Sequence, residues 1–162
     1  MLAIRPAEEK DQQTIMEIYN EAVENTTATF DTEKRSINNQ LEWFRIHKHN
    51  HPVIVSEEDG IIKGWASLSP WNDRKAYDGT VEVSVYVHHD HRGKGIGKKL
   101  LEIITLEGKK VNNHTILSRI SSGNEISIHL HEQLGYCHIG VMKEVGMKFG
   151  NYIDVNMMQY LF

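Results

Sequence analysis

The stretch VEVSVYVHHDHRGKGIGKKLLEIITLEG, Val81–Gly108, joins three unlike pieces. Valines alternate at 81, 83, 85 and 87, the period of a strand with one apolar face. Glu82, Ser84 and Tyr86 share the opposite face. A histidine-rich HHDH leads into RGKGIG, residues 92–97, after which Leu100, Leu101 and Ile104 recur at helical spacing while Lys98, Lys99 and Glu102 turn outward. The order is therefore strand, glycine turn, helix. The first N–H groups of a helix lack intrahelical acceptors, and the macrodipole adds partial positive charge there. Glycines let that backbone approach an anion closely, and Arg92, Lys94, Lys98 and Lys99 supply cations. The turn is predicted to hold phosphate or pyrophosphate. It is not a Walker loop, because Gly93 to Gly97 is one residue too short and Lys99 stands where Ser or Thr should hold Mg²⁺. It is not the dinucleotide GxGxxG either, since the third glycine would fall at Lys98.

Outward from this core, the chain reads as one domain spanning residues 1–162. LAIRPA is a short strand, and Asp11 to about Glu24 is a helix with Ile15, Ile18, Tyr19 and Ala22 on one stripe. NTTATFDTEKRS is a loop, and a second helix runs from Ile37 to about Lys48 with Ser36 as N-cap. VIVSE and IIKGWASLS form a hairpin across EDG. TILSRI is a strand. A helix over Glu125–Leu134 carries Ile126, Leu130 and Leu134 at i, i+4, i+8 and stops at Gly135. YCHIGV and YIDVNMMQYLF are closing strands around a loop containing GMKFG. The order β-α-α-β-β-β-α-β-α-β-β predicts an α/β (α+β layered) domain, a mixed sheet with helices packed on it.

The 162 residues include 40% hydrophobic and 25% charged side chains, enough for a core without disulfides or structural metal. The single cysteine, Cys137, suits a reducing cytoplasm. The acidic start MLAIRPAEEKD does not read as a signal peptide, and no apolar run approaches the ~20 residues of a membrane span. A formal charge of −4 argues against nucleic acid as the main partner. The histidines group as His47/His49/His51, His88/His89/His91 and His129/His131, but the HExxH motif that sets a helical metal pair at i, i+4 is absent, so no metal is expected.

Arg92-Gly93-Lys94-Gly95-Ile96-Gly97 fits the [R/Q]xxGxG turn of the GNAT superfamily of N-acetyltransferases, and NEISIHLHEQLGY, Asn124–Tyr136, stands where that superfamily has a YEKLGF-like segment. IYNEAVENTTATFDTE, RKAYDGTVEVSVYV, SIHLHEQLGY and EVGMKFGNYIDVNMMQ extend the likeness. Nearly end to end, the chain resembles phosphinothricin acetyltransferases and their methionine sulfone and sulfoximine relatives. The resemblance implies a largely antiparallel central sheet flanked by helices, with strands splayed at an acetyl-CoA cleft. It implies cofactor contacts from Val85, Tyr86, Val87, the turn Arg92–Lys98, Asn124 and Ser127. It implies a small-molecule amine acceptor bound by Arg74 and Tyr77, with Phe30 as a pocket wall and Lys148 nearby, and a homodimer. Glu82 becomes the expected general base. His131, in the slot of the superfamily tyrosine, becomes the expected acid for the leaving thiolate. Departures at Asp78–Thr80 and Glu125 bear on acceptor choice. Polyamines, aminoglycosides or protein N-termini are alternative acceptors, and a CoA-binding sensor without turnover is the non-enzymatic alternative.

Overall fold

The valine alternation puts the strand Thr80–Val87 in the middle of a seven-stranded sheet. The computed structural model describes residues 1–47 and 49–162. The strands are β1 (Ala3–Pro6), β2 (Val53–Glu58), β3 (Ile61–Pro70), β4 (Thr80–Val87), β5 (Thr115–Ser121), β6 (Cys137–Lys148) and β7 (Asn151–Leu161). Their order across the sheet is β1-β2-β3-β4-β5-β7-β6. Every neighbouring pair is antiparallel except β4 with β5. The helices are α1 (Gln12–Asn25), α2 (Ile37–Ile46), α3 (Ile96–Lys110) and α4 (Glu125–Gln133), so the element order matches the one expected.

Each face of the sheet has its own core. Val81 and Val83 of β4 pack with Leu100, Leu101 and Ile104 of α3. On the other face Val53, Val55 and Trp65 meet Ile15, Ile18 and Tyr19 of α1. Ser36 caps α2 by accepting from the Asn39 N–H at 3.2 Å. The helix ends at Ile46, earlier than expected, and the expected terminal residue Lys48 lies outside the described residues. The β2–β3 turn places Asp59 and Gly60 at φ 53° and 76°, the left-handed pair of a two-residue hairpin.

Two expectations are corrected. The expected apolar stripe of α4 is only partly inward: Ile126 is 78% exposed, whereas Leu134 packs on the core together with Ile128, which the stripe did not include. The GMKFG segment is not a loop. β6 runs unbroken as a strand to Lys148, with register shifts at His138/Gly140 and Met142/Gly146. Its turn is Phe149–Gly150, at φ 51° and 77°. Gly146, which read as part of a loop, and Gly140, inside the expected strand, both mark irregular pairing in β6.

Candidate functional site

β4 and β5 pair only over Thr80↔Thr115, Val81↔Ile116 and Glu82↔Leu117. Beyond Glu82, β4 follows β3 as far as Val87, while β5 follows β7 as far as Ser121. The sheet therefore splits at Glu82. The His88 N–H donates to the Lys63 carbonyl at 2.8 Å, which fixes the backbone alternation. Even-numbered residues of β4 turn their amides toward β3, and Val83, Val85 and Val87 turn theirs into the gap. The Val87 carbonyl there accepts from Arg92 Nε at 3.0 Å. Tyr86, paired with Trp65, has its main chain committed to β3, so the open edge consists of valine backbone. A cavity of about 530 Å³ occupies the split, and Glu82, Val85, Arg119, Asn124 and His131 are on its wall.

Glu82 is held at the point of separation. Arg119 Nε donates to its Oε1 at 2.9 Å and Arg119 Nη2 to its Oε2 at 2.5 Å, a bidentate ion pair. The Glu82 side chain is 19% exposed and the Arg119 side chain 51%. Arg119 stands two residues past Leu117, the partner of Glu82, and so shares its face of the sheet. Its guanidinium carbon lies 5.3 Å from the centroid of the Trp71 ring. Sequence reasoning missed Arg119, although the argument that singled out Glu82, a charge inside an apolar strand, applies equally to TILSRIS.

Across the split, Asn124 caps α4 by accepting from the Ser127 N–H at 3.3 Å, and both residues line the cavity. His131 is buried, with Nδ1 2.7 Å from the Ser127 carbonyl and Nε2 3.0 Å from Ser118 Oγ. A carbonyl only accepts, so Nδ1 carries the proton and the neutral ring accepts the Ser118 hydroxyl at Nε2. Burial lowers the His131 pKa, opposed in part by the Ser127 bond, and burial lowers that of His47 as well. The unfolded chain takes up these protons below about pH 6.5; the folded chain resists them. Stability is thus unaffected by these groups well above pH 6.5 and falls as pH drops below it. Urea midpoints should decline from pH 7.5 to 5.5 in the wild type and decline less in His131→Gln. Equal declines in the two proteins would remove this account.

At the far end of the open edge, Gly93 and Gly95 adopt φ 74° and 78°, a backbone state that strains other residues. Gly95 caps α3, and its carbonyl accepts the Lys99 N–H at 3.1 Å. The amides of Ile96, Gly97 and Lys98 therefore have no intrahelical acceptor. This donor set, with no Cβ at 93, 95 or 97, fits a diphosphate. Arg92 also donates through Nη2 to Glu21 at 2.7 Å, and Lys94 Nζ reaches the Asp90 carbonyl at 3.0 Å. Lys98 is exposed. Beside the turn, ligand-type atoms of His88, His89 and Asp90 lie within 4.8 Å of one another at the surface.

The expected acceptor residues are not all brought together. Phe30 lines the cavity and rests on Gly146, where an added Cβ would come within 2.1 Å of its ring, so Phe30 is wall and anchor at once. Lys148 is buried and does not line the cavity; its Nζ donates to the carbonyls of Thr26 and Thr29 at 2.7 and 2.8 Å. It thereby ties β6 to the loop that carries the Thr27–Asp31 wall. Arg74 and Tyr77 sit exposed in the β3–β4 connection and do not line the cavity. Trp65 Nε1 and Ser67 Oγ are buried without a hydrogen-bond partner among the described residues, and both residues line the cavity. Unspent buried donors of this kind suit a polar ligand.

The sequence matches the acetyltransferase (GNAT) domain over residues 4–157. It is 40% identical over 159 residues to the L-amino acid N-acyltransferase MnaT of Escherichia coli (strain K12), covering 98% of this chain and 92% of the relative. It is likewise 40% identical over 159 residues to an L-methionine sulfoximine/L-methionine sulfone acetyltransferase of Salmonella typhimurium, covering 98% of this chain and 93% of the relative. The fold superposes with a TM-score of 0.96 on an acetyltransferase from Salmonella typhimurium solved with its cofactor acetyl-CoA, at 39% identity and covering 99% of this chain and 93% of that one.

Proposed function

This chain belongs to the GNAT acetyltransferase family, and from that premise we propose that it moves the acetyl group of acetyl-CoA to the α-amine of a small amino-acid-like compound. The observation that carries the reading is the position of Glu82. Its carboxylate stands where β4 leaves β5, at the head of an open amide edge that leads to the glycine turn. Acetyl-CoA supplies the activated acyl carbon. The turn amides at Ile96–Lys98 hold its diphosphate, with Arg92, Gly93, Lys94, Gly95 and Gly97 shaping and charging the site. The backbone of Val85 and Val87 receives the pantetheine arm as an added strand, and Asn124 and Ser127 face it across the split.

Glu82 takes a proton from the acceptor ammonium, directly or through water, and frees the nitrogen lone pair. The nitrogen then bonds to the acetyl carbon as the carbon–sulfur bond breaks. Sulfur leaves with the bonding pair and takes up a proton, and the new amide nitrogen loses its second proton. Direct attack needs donor and acceptor present together, so the order is sequential. His131 presents no ring proton to the cavity in its neutral form, which favours holding Ser118 in place over acting as the acid.

Methionine sulfone, methionine sulfoximine and phosphinothricin are the candidate acceptors. All carry oxygen on the distal head, for which the unspent Trp65 and Ser67 donors are suited. Phe30 supplies apolar wall, and Lys148 fixes that wall from behind. Arg74 and Tyr77 would reach a bound acceptor only from the rim or from a second subunit. A homodimer is supported by β6, an edge strand whose Ile139, Val141, Val145 and Met147 are exposed. Among the described residues no helix is long and apolar enough to cross a membrane, and we place the enzyme, as one domain, in the cytoplasm.

A panel of amines assayed for acetyl-CoA-dependent thiol release, with sedimentation on the same samples, tests the proposal. Turnover of the three amino-acid acceptors above spermidine and peptide N-termini is the expected result. Preference for a polyamine would move the acceptor class, and a monomer would remove the dimer.

A further inference from the structure

Deepening that reading, and resting on it, we propose that Arg119 is the specificity-determining residue of the acceptor site, where it binds the α-carboxylate beside Glu82. An α-amino acid joins its ammonium and its carboxylate through a single carbon. A site that selects such a compound needs a carboxylate for the ammonium and a cation immediately next to it. The Glu82–Arg119 pair offers this arrangement on the cavity wall. Arg119 gives Glu82 only its Nε and Nη2. Its Nη1 donates to nothing among the described residues, and half the side chain is exposed. The guanidinium keeps N–H groups for a second carboxylate without releasing the first. The Trp71 ring, 5.3 Å from the guanidinium carbon, backs its plane.

The other guanidinium on the wall is excluded by its surroundings. Arg35 lies over the rings of Tyr19 and Trp43, at 4.3 and 5.2 Å, and donates to Gln40 at 2.8 Å. It makes no contact with Glu82. The pair also explains why a base is kept in contact with a cation. In the free site each partner balances the other's charge, and an incoming zwitterion adds a matched pair, its ammonium beside Glu82 and its carboxylate on the Nη1 side of Arg119 that Glu82 leaves free. An amine without a carboxylate would leave those N–H groups without an acceptor and set its own charge beside the guanidinium.

The test compares L-methionine sulfone with its carboxamide and with the corresponding amine lacking the carboxyl group. The wild type should favour the acid. Arg119→Met should lower kcat/KM for the acid about 10- to 100-fold, the range that charge-assisted hydrogen bonds support, mainly through KM. It should change the carboxamide rate far less, so that discrimination collapses. Arg119→Lys should restore part of it. Acetyl-CoA affinity and melting temperature, read on each variant, identify a folding defect, in which case the lysine variant carries the comparison. Equal losses for acid and carboxamide would mean that Arg119 only positions Glu82 and would overturn the proposal, as would a wild type indifferent to the carboxyl group. A wild type inert to every amine would remove the underlying function instead. Calorimetry of methionine sulfone with the CoA-bound protein would then still decide whether Arg119→Met weakens binding.

Discussion

Glu82→Gln is expected to reduce kcat by about 10²- to 10⁴-fold, the span that a positioned general base contributes, with little change in the dissociation constant for acetyl-CoA. The substitution keeps the shape of the side chain and the place where β4 parts from β5. It removes the only charge on Glu82 that can receive the acceptor proton. The fold should survive, because the ion pair it breaks is partly solvated, with Arg119 half exposed, and pairs of that kind contribute about 0–1 kcal/mol. The measurement is a stopped thiol-release assay at saturating acceptor together with calorimetry of acetyl-CoA. Loss of turnover with intact donor binding separates chemistry from binding. Near-normal turnover would place the base elsewhere, and a parallel loss of acetyl-CoA affinity would mean that Glu82 shapes the donor site.

The contrast between Glu82 and Arg119 shows what was legible in the sequence. Period-two alternation over Thr80–Val87 is local, and it alone places Glu82 on the face that valine does not occupy. The glycine turn was legible for the same reason: strand, Gly93-x-Gly95 and helix follow one another in the chain. Arg119 is 37 residues from Glu82, and its meaning arises only when β5 is laid parallel to β4 with Leu117 opposite Glu82. No periodicity within TILSRIS carries that register. In α4 the error came from a real pattern. Ile126, Leu130 and Leu134 have helical spacing, but the helix is nine residues long and turns its Asn124, Ser127 and His131 line into a cavity rather than a core. Burial there follows hydrogen bonding, so the buried residue is His131 and an exposed one is Ile126. Lys148 inverts the usual rule in the same manner, its ammonium spent on two loop carbonyls that a sequence cannot display.

Gly95→Glu should weaken acetyl-CoA about 100- to 1000-fold while the protein still folds. Two effects act at this position, and a second variant separates them. The first is backbone strain. Gly95 sits at φ 78°, and an L side chain there costs about 1–2 kcal/mol, a charge against folding that Gly95→Ala incurs equally. No heavy atom lies within 4 Å of an added Cβ, so neither variant collides with the protein itself. The second effect belongs to glutamate alone. Its charge would stand beside the unpaired amides of Ile96–Lys98, where the diphosphate is expected, and like charges about 4 Å apart repel by about 1–4 kcal/mol between aqueous and near-surface dielectric conditions. The carboxylate would also take those amides for itself, as an acidic group at a helix start does. Gly95→Ala should therefore melt lower than the wild type yet bind acetyl-CoA within about tenfold, whereas Gly95→Glu should melt similarly to Gly95→Ala and bind far more weakly. Calorimetry and thermal melts on the three proteins decide the matter. If alanine weakens binding as much as glutamate, the turn acts through its conformation alone, and if neither does, the diphosphate lies elsewhere.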